Sequence, residues 1–392
     1  MQIDPATLRG DWRYPTEIRF GPGRIAELAD SCIAVGMKAP LMVTDPGLQE
    51  LDMVGDAVRS LRDAGLQVQL FGDVRPNPLV ENVTAGVETY RRGGHDGVVA
   101  FGGGSALDAG KAIALMVGQS RPLADFESVG ENWRRVNADG IAPTVAVPTT
   151  AGTGSEVGRA SVIADEDGGR KRIVSHAGMM PRIVVADPEL TVGLPPGLTA
   201  ATGMDALTHC LEAFFSPSFH PIADGVALGG IRLVAQWLRP AVADGSDLAA
   251  RAHMLVAATM GATAFQKDLG GVHAVSHAVG ALYDTHHGLT NAIVLPYMLR
   301  HNADVLEEKA ELIARLLGLP DPGFPAFFDW ILELRDAVGI PETLSGIGVD
   351  AARAEEVGDL AFVDPTRPGN PKPVSAADLR AVFEAAVTGN SQ

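Results

Sequence analysis

Residues 98–112 read VVAFGGGSALDAGKA, and this stretch decides the fold of the first part of the chain. An apolar run typical of a buried strand leads into three glycines, a serine and a segment with the pattern of a helix. Glycine lets a backbone approach a phosphate closely, and a helix N-terminus offers unpaired N–H groups and a partial positive charge. The stretch therefore predicts a strand–turn–helix unit, whose turn either binds a phosphate or is only a tight connection.

Two known phosphate-binding motifs do not fit this region. A P-loop has four residues between its first glycine and a Gly-Lys pair that is followed by Ser or Thr. Here Gly104 and Gly110 lie further apart, and Ala112 follows Lys111. The nearby GTGSEVG (152–158) places its last glycine one residue out of step with the dinucleotide-binding GxGxxG. A nucleotide site therefore needs support from other residues.

Strand and helix patterns alternate on both sides of this unit. The strand-like stretches are 39–45, 66–74, 96–104, 143–156 (which runs into a Gly/Thr loop) and 182–190, and the helix-like stretches are 53–65, 80–94 and 105–117. Strands that alternate with helices predict a parallel or largely parallel sheet with crossover helices.

The pattern changes near residues 188–196, which are rich in proline. Beyond them almost every stretch has the periodicity of a helix. We therefore expect an α/β domain over residues 1–187 and an all-helical domain over residues 188–392. A proline-rich loop, VDPTRPGNPKPVS (363–375), precedes the last predicted helix.

The composition excludes several kinds of partner. The chain has 392 residues, 31 of them basic and 48 acidic, and its net charge of −17 would repel nucleic acid and anionic membranes. The two cysteines, Cys32 and Cys210, imply no disulfide framework and a reducing compartment. The N-terminus lacks the pattern of a signal peptide, and no uncharged apolar stretch reaches the roughly 18 residues that span a bilayer. We expect a cytoplasmic protein with small-molecule partners.

Two further features favour a dinucleotide site in the first domain. The segment PTTAGTGSE (148–156) is a second small, hydroxyl-rich loop after a strand, able to line the same phosphate groove. Asp45 ends the strand-like stretch LMVTD. A carboxylate at such a position can bind both ribose hydroxyls of an adenosine and would repel a 2′-phosphate, which favours NAD over NADP.

The helical part of the chain carries residues typical of metal ligands. Asp205 and His209 lie four residues apart on one predicted helix face, and His273 and His277 lie four apart on another. Carboxylate and imidazole suit a borderline ion such as Fe²⁺ or Zn²⁺. A single such pair is more often capped or solvated, but two histidine-bearing stretches in one helical domain favour a metal site. The absence of an HExxH motif argues against a zinc protease.

Taken together, these segments resemble the iron-containing (group III) alcohol dehydrogenases. The similarity lies in GGGSALDAGKA, PTTAGTGSE, DPELTVGLPPGLTAATGMDALTHCLEAF and GGVHAVSHAVGALYDTHHGLTNAIVLPYML, and it runs from about Phe20 to the final helix. The resemblance implies NAD(P) in the α/β domain, a divalent metal in the helical domain and a dimer or larger homo-oligomer.

The resemblance also assigns residues. It implies that the metal ligands are Asp205, His209, His273 and His287, and that His277 lies near the nicotinamide, where it either relays a proton or only packs beside the cofactor. With the four ligands, His277 completes the expected catalytic set. The expected cofactor-binding residues are Asp45, Asn77, Gly102, Gly103, Gly104, Ser105, Asp108, Thr149, Thr150, Thr153, Lys171 and His277.

The implied reaction is hydride transfer between a small alcohol and a nicotinamide, as in a metal-dependent alcohol dehydrogenase or aldehyde reductase. A maleylacetate reductase-like reductase and a dehydroquinate synthase-like lyase are the alternatives on the same fold. Two departures from the family pattern leave the substrate open. His286 stands where the family has proline, and Lys267 stands in a shortened segment before His273. If the Lys267 ammonium faces the substrate, a hydroxy acid or semialdehyde is expected; a solvated lysine at a helix end is the alternative.

Overall fold

The computed structural model describes residues 10–13, 16–165 and 171–390, and within them the chain divides into two units between Val192 and Gly193. Ala151–Thr153 groups with the second unit. The division falls a few residues beyond the predicted boundary because the Asp187 carboxylate ties the intervening turn to the first unit. It accepts hydrogen bonds from the backbone N–H of Glu189 at 3.0 Å and of Ile25 at 2.9 Å.

The first unit is built on a seven-stranded sheet with the order β1-β2-β9-β6-β5-β3-β4. Its neighbouring strands are parallel except for β1, which pairs antiparallel with β2 at one edge. A separate two-stranded sheet contains β7 and β8. The strands of the unit are β1 (Gly10–Arg13), β2 (Glu17–Phe20), β3 (Pro40–Val43), β4 (Gln69–Phe71), β5 (Gly97–Gly102), β6 (Thr144–Pro148), β7 (Ala160–Ala164), β8 (Lys171–Ser175) and β9 (Ile183–Ala186). Its α-helices are α1 (Leu28–Ala34), α2 (Asp52–Asp63), α3 (Val80–Gly93) and α4 (Gly104–Met116). The predicted parallel α/β fold is confirmed.

The stretch 98–112 forms β5 and α4, and its small residues explain the close packing of helix on strand. β5 is fully buried between two apolar clusters, one on each face of the sheet. A Cβ at Gly110 would lie 2.6 Å from the Cβ of Ala100, so only glycine fits at this point of α4. Gly102 has a φ of +146°, a backbone conformation that other residues rarely adopt, and it turns the chain from β5 toward α4.

The antiparallel pair β7–β8 was not expected from the sequence, and a buried lysine attaches it to α4. The ammonium of Lys111 donates to the carbonyls of Ser155 at 3.0 Å, Gly158 at 3.3 Å and Ala160. Asp108, one turn earlier, lies 3.3 Å from the same ammonium. The charged pair therefore holds the chain between β6 and β7 against α4.

Among the described residues of the second unit, the regular elements are all helices, as predicted. Its helices are α5 (Pro196–Phe215), α6 (Pro221–Ala243), α7 (Leu248–Ala264), α8 (Gly271–Tyr283), α9 (His287–His301), α10 (Ala303–Leu317), α11 (Phe324–Ala337), α12 (Ala354–Val363) and α13 (Ala376–Thr388). In the part of the chain that the structure describes, no helix is both long and apolar enough to cross a membrane.

Candidate active site

Helix α5 supplies two of the four predicted metal ligands from the interior of the second unit. Asp205 and His209 are 2% and 4% exposed and lie one turn apart on the same face. Glycines of two neighbouring helices allow the close approach. A Cβ at Gly261 of α7 would lie 3.0 Å from the His209 Cβ, and one at Gly288 of α9 would lie 3.0 Å from the Asp205 Cβ. The small residues of α7 and α9 therefore bring the backbones against the ligand-bearing face of α5.

The other two ligands come from α8 and α9. His273 lies buried in the first turn of α8, and His287 is the first residue of α9. The ligand atoms of Asp205, His209, His273 and His287 all lie within 4.8 Å of one another. Helix α5 and the two consecutive helices α8 and α9 thus converge on one point with one carboxylate and three imidazoles.

The hydrogen bonds at this point fit a cation. The side-chain Nδ2 of Asn291 lies 2.7 Å from Asp205 Oδ1 and 3.1 Å from Nε2 of both His273 and His287. An amide NH₂ has two protons, so it cannot donate to three acceptors at once. A buried acceptor without a donor costs about 1–3 kcal/mol. A divalent ion shared by these lone pairs would remove that cost, and the donor set is one that Fe²⁺ and Zn²⁺ accept.

A buried carboxylate positions one of the imidazoles. Glu212 Oε2 lies 2.6 Å from His273 Nδ1, and its Oε1 accepts from the backbone N–H of Val272 at 2.7 Å. Burial lowers the pKa of His273, but the adjacent carboxylate outweighs burial and raises it above the usual value. With Nδ1–H donating to Glu212, the ring presents Nε2 to the other ligands. Such a carboxylate–histidine pair fixes the tautomer and makes the imidazole a stronger metal ligand.

The state of His209 also suits metal binding. Burial is the main cause that lowers its pKa, to about 4. The side chain is therefore neutral at physiological pH, as a ligating imidazole must be.

The two remaining histidines of the 273–287 stretch have different surroundings. His277 packs against the His287 ring, with centroids 5.4 Å apart, and its Nδ1 lies 2.9 Å from Asp364 Oδ2. His286 is exposed and caps α9, because its Nδ1 accepts from the backbone N–H of Leu289 at 3.3 Å. His286 is therefore the N-cap of the helix whose first residue is the ligand His287.

The hypothesis of a substrate-facing Lys267 is wrong, and so is its alternative of a solvated lysine. The side chain is buried, and its ammonium lies 2.6 Å from Asp224 Oδ1 and 3.5 Å from the carbonyl of Phe214. Lys309 donates to the carbonyls of Phe214 at 2.7 Å and Ser216 at 3.1 Å. Both ammonium groups thus neutralise the C-terminal end of α5, where helix carbonyls lack partners.

Replacing Lys267 with alanine is therefore expected to lower stability rather than change substrate preference. The variant leaves Asp224 without its cation, and we expect a loss of about 2–4 kcal/mol in the free energy of unfolding. The ratio of kcat/KM for a hydroxy acid to that for the matching neutral alcohol should stay as in the wild type. Urea unfolding and steady-state kinetics measure both, with the exposed Lys38→Ala as control. A selective loss of the hydroxy acid activity would contradict this assignment.

The predicted cofactor residues of the first unit lie mainly where parallel strands end. Asp45 follows β3, Asn77 follows β4, Gly102–Ser105 link β5 to α4, and Thr149 and Thr150 follow β6. Open α/β sheets bind their ligands at this carboxyl edge. Gly103, Gly104 and Ser105 stand at the N-terminus of α4, where unpaired N–H groups suit a phosphate.

Specific contacts connect several of these residues. A Cβ added at Gly102 would lie 3.5 Å from Asp45 Oδ2, and a Cβ added at Gly103 would lie 3.2 Å from Thr150 Cγ2. The backbone N–H of Thr149 donates to the carbonyl of Gly102 at 3.0 Å. The structure thus brings the ends of β3, β5 and β6 together.

Three further predicted residues, Lys171, Asp108 and Thr153, lie elsewhere. The Lys171 ammonium donates to Asn77 Oδ1 at 2.8 Å, and Asn77 has a φ of +54°. Asp108 accepts from Ser155 Oγ at 2.5 Å and from the backbone N–H of Val162 at 2.8 Å, so its carboxylate holds the β6–β7 connection to α4. Thr153 belongs to the segment that groups with the second unit. Direct cofactor contacts of these residues stay predictions.

Comparison with known proteins gives the family of this fold and site. The family model described as iron-containing alcohol dehydrogenase matches residues 15–188, and the model of the C-terminal part of Fe-containing alcohol dehydrogenases matches residues 199–387. The chain belongs to the iron-containing alcohol dehydrogenase family. The expectation of an iron-type alcohol dehydrogenase, rather than the lyase on the same fold, is confirmed.

Similar proteins match over nearly their whole length. The 4-hydroxybutyrate dehydrogenase of Cupriavidus necator is 40% identical over 380 residues, which are 95% of this chain and 98% of the relative. The 1,3-propanediol dehydrogenase of Klebsiella pneumoniae is 36% identical over 96% of this chain and 98% of its own. The crystal structure of a sulfoacetaldehyde reductase from Bifidobacterium kashiwanohense in complex with NAD⁺ superimposes with a TM-score of 0.85, at 31% identity and with both chains fully covered.

Proposed function

We propose that this enzyme interconverts a small alcohol and its aldehyde with NAD, using a divalent metal ion held by Asp205, His209, His273 and His287. The observation that carries the proposal is the convergence of four ligand atoms within 4.8 Å in the helical unit of a chain of this family. Fe²⁺ is the ion that the family description favours, and Zn²⁺ suits the same donors.

The residues of the site supply binding and orientation. A divalent ion there would lower the pKa of an alcohol hydroxyl, or polarise the carbonyl in the reverse direction. In the oxidation, the alcohol carbon would lose a hydride to NAD⁺ and its hydroxyl group would lose a proton to solvent, so the alcohol would be oxidised and NAD⁺ reduced. Glu212 holds His273, and Asn291 contacts three of the ligands, so the donor set is oriented before substrate binds.

The substrate that we propose is a short alcohol or aldehyde with a polar group at its far end. The relatives named for 4-hydroxybutyrate, 1,3-propanediol and sulfoacetaldehyde share that chemistry and support the proposal. The test is to compare kcat/KM for 4-hydroxybutyrate, 1,3-propanediol and butanol with NAD⁺, by NADH absorbance. We expect turnover of at least one polar-ended substrate above that of butanol. No turnover of any alcohol, nor of the aldehydes with NADH, would refute the dehydrogenase proposal.

Asp45 is the residue that we propose to select NAD over NADP. Its Oδ1 accepts from the backbone N–H groups of Gly47 and Leu48 at 2.9 and 3.1 Å. Asparagine keeps an oxygen for these bonds and removes the negative charge. Because like charges then no longer oppose each other, we expect Asp45→Asn to raise kcat/KM for NADP⁺ on the order of tenfold relative to NAD⁺.

Steady-state kinetics with both cofactors measure this change. The exposed Asp63→Asn on α2 is the control for loss of one surface charge, and it should leave the ratio unchanged. An unaltered ratio in Asp45→Asn would remove Asp45 from cofactor selection. The cytoplasmic location and the homo-oligomer are further proposals, which cell fractionation and analytical ultracentrifugation test.

A further inference from the structure

Residues 364–370 are part of the proline-rich loop 363–375, which the sequence did not connect with any function, and they are held against the start of α8. Asn370 Oδ1 accepts from the backbone N–H of Gly271 at 3.3 Å and from Asn302 Nδ2 at 2.9 Å. A side chain at Gly369 would collide with the carbonyl of Leu269. The loop is therefore fitted closely to the helix that carries His273 and His277.

The first residue of this loop reaches the second histidine of that helix. Asp364 Oδ2 lies 2.9 Å from His277 Nδ1, and both side chains are nearly buried, at 12% and 9% exposure. The other carboxylate oxygen, Oδ1, accepts from Thr366 twice, from its backbone N–H at 2.8 Å and from its Oγ1 at 2.5 Å. The group is thus a carboxylate that accepts from three directions.

This arrangement fixes the state of the imidazole. Because Asp364 is an acceptor, His277 donates its Nδ1–H, and in the neutral ring Nε2 then carries a lone pair. Among the described residues, no hydrogen bond engages that Nε2. The ring also packs beside the ligands His273 and His287, with centroids 5.9 and 5.4 Å away. An acceptor atom is thereby kept available next to the proposed metal ligands.

We propose that Asp364, held by Thr366, is a positioning residue that fixes the orientation and tautomer of His277, so that Nε2 accepts a hydrogen bond from a hydroxyl group of the substrate or of the cofactor ribose. The inference rests on the proposed function for the identity of the bound hydroxyl. It assigns the 364–370 loop to the active site.

Asp364→Asn is the variant that tests the tautomer of His277 most directly. Thr366 presents two donors to one oxygen, so the asparagine must turn its carbonyl toward Thr366 and its NH₂ toward His277. His277 Nδ1 then becomes the acceptor, and the proton moves to Nε2, which can no longer accept. Reversal of a tautomer in this way by Asp→Asn in another enzyme class lowers kcat about 10⁴-fold. We expect kcat to fall at least about 100-fold here, with metal content unchanged.

Nitrogen NMR of ¹⁵N-histidine-labelled, Zn²⁺-loaded enzyme reports the tautomer without relying on activity, and His277→Gln assigns the signal. The wild type should show a protonated Nδ1 and an unprotonated Nε2, and Asp364→Asn should show the reverse. Asp359→Asn, an exposed residue of α12, is the control and should change neither the spectrum nor kcat. An unchanged tautomer, or a kcat within threefold of the wild type, would overturn the proposal. If the wild type oxidises no alcohol, the proposed function fails, while the spectrum still decides the role of Asp364.

Discussion

His287→Ala is expected to lower kcat/KM for the alcohol by about three orders of magnitude and to release the metal. The substitution leaves three of the four proposed ligands. The ion is expected to stabilise the transition state by several kcal/mol, and each 1.36 kcal/mol corresponds to a tenfold change in rate. At 23% side-chain exposure, His287 is the most accessible of the four, so its removal should leave the helical core intact.

Metal analysis of the purified protein and steady-state kinetics measure these two losses. His301→Ala is the matched control, because His301 is the last residue of the same helix, α9, and lies outside the ligand set. It should keep both metal and activity. A His287→Ala enzyme with full metal content and wild-type kcat/KM would exclude His287 from the metal site.

Glu212→Gln is expected to weaken metal binding by about 10- to 100-fold. Glu212 accepts from His273 Nδ1 and from the backbone N–H of Val272 with separate oxygens. Glutamine offers one oxygen and one NH₂ to these two donors, so one bond is lost together with the negative charge that strengthens the imidazole. Loss of a partner that orients a ligand typically has an effect of this size.

Competition with a chromophoric chelator measures the affinity of the metal-free protein for Zn²⁺, independently of catalysis. Glu308→Gln, an exposed glutamate of α10, controls for the change in net charge. Thermal unfolding of the metal-free variants shows whether the fold is retained. Equal Zn²⁺ affinity in Glu212→Gln and the wild type would mean that the Glu212–His273 pair does not support the metal.

Local sequence patterns predicted the helices and strands that are marked by an apolar run or by a regular helical spacing of residues. The apolar run before Gly102 predicts β5, and the spacing of Asp205 and His209 places both on one face of α5. Glu212 could have been added from the same pattern, because it lies three residues after His209 and seven after Asp205, on that face. The pairing of Glu212 with His273 could not be predicted, since a contact between α5 and α8 is tertiary.

Other features depend on contacts that local patterns do not contain. Helix α9 begins at a histidine cap, which is not a usual N-cap residue, and it includes Pro296, which normally interrupts a helix. The sequence suggested that the charge of Lys267 contacts a substrate. Its actual partner, Asp224, lies 43 residues earlier and cannot be recognised from the local pattern. Asp364 follows α12 and reaches His277 across 87 residues. In each case tertiary packing decided what the residue does.

Removal and return of the metal tests the central claim most directly. Protein stripped by a chelator and dialysed should form no NADH from NAD⁺ and an alcohol substrate. Stepwise addition of Fe²⁺ without oxygen, or of Zn²⁺, should restore activity in proportion to metal, up to one ion per chain, and Asp205→Ala should show no recovery. Full activity of the stripped enzyme, or recovery in Asp205→Ala equal to that of the wild type, would contradict the account.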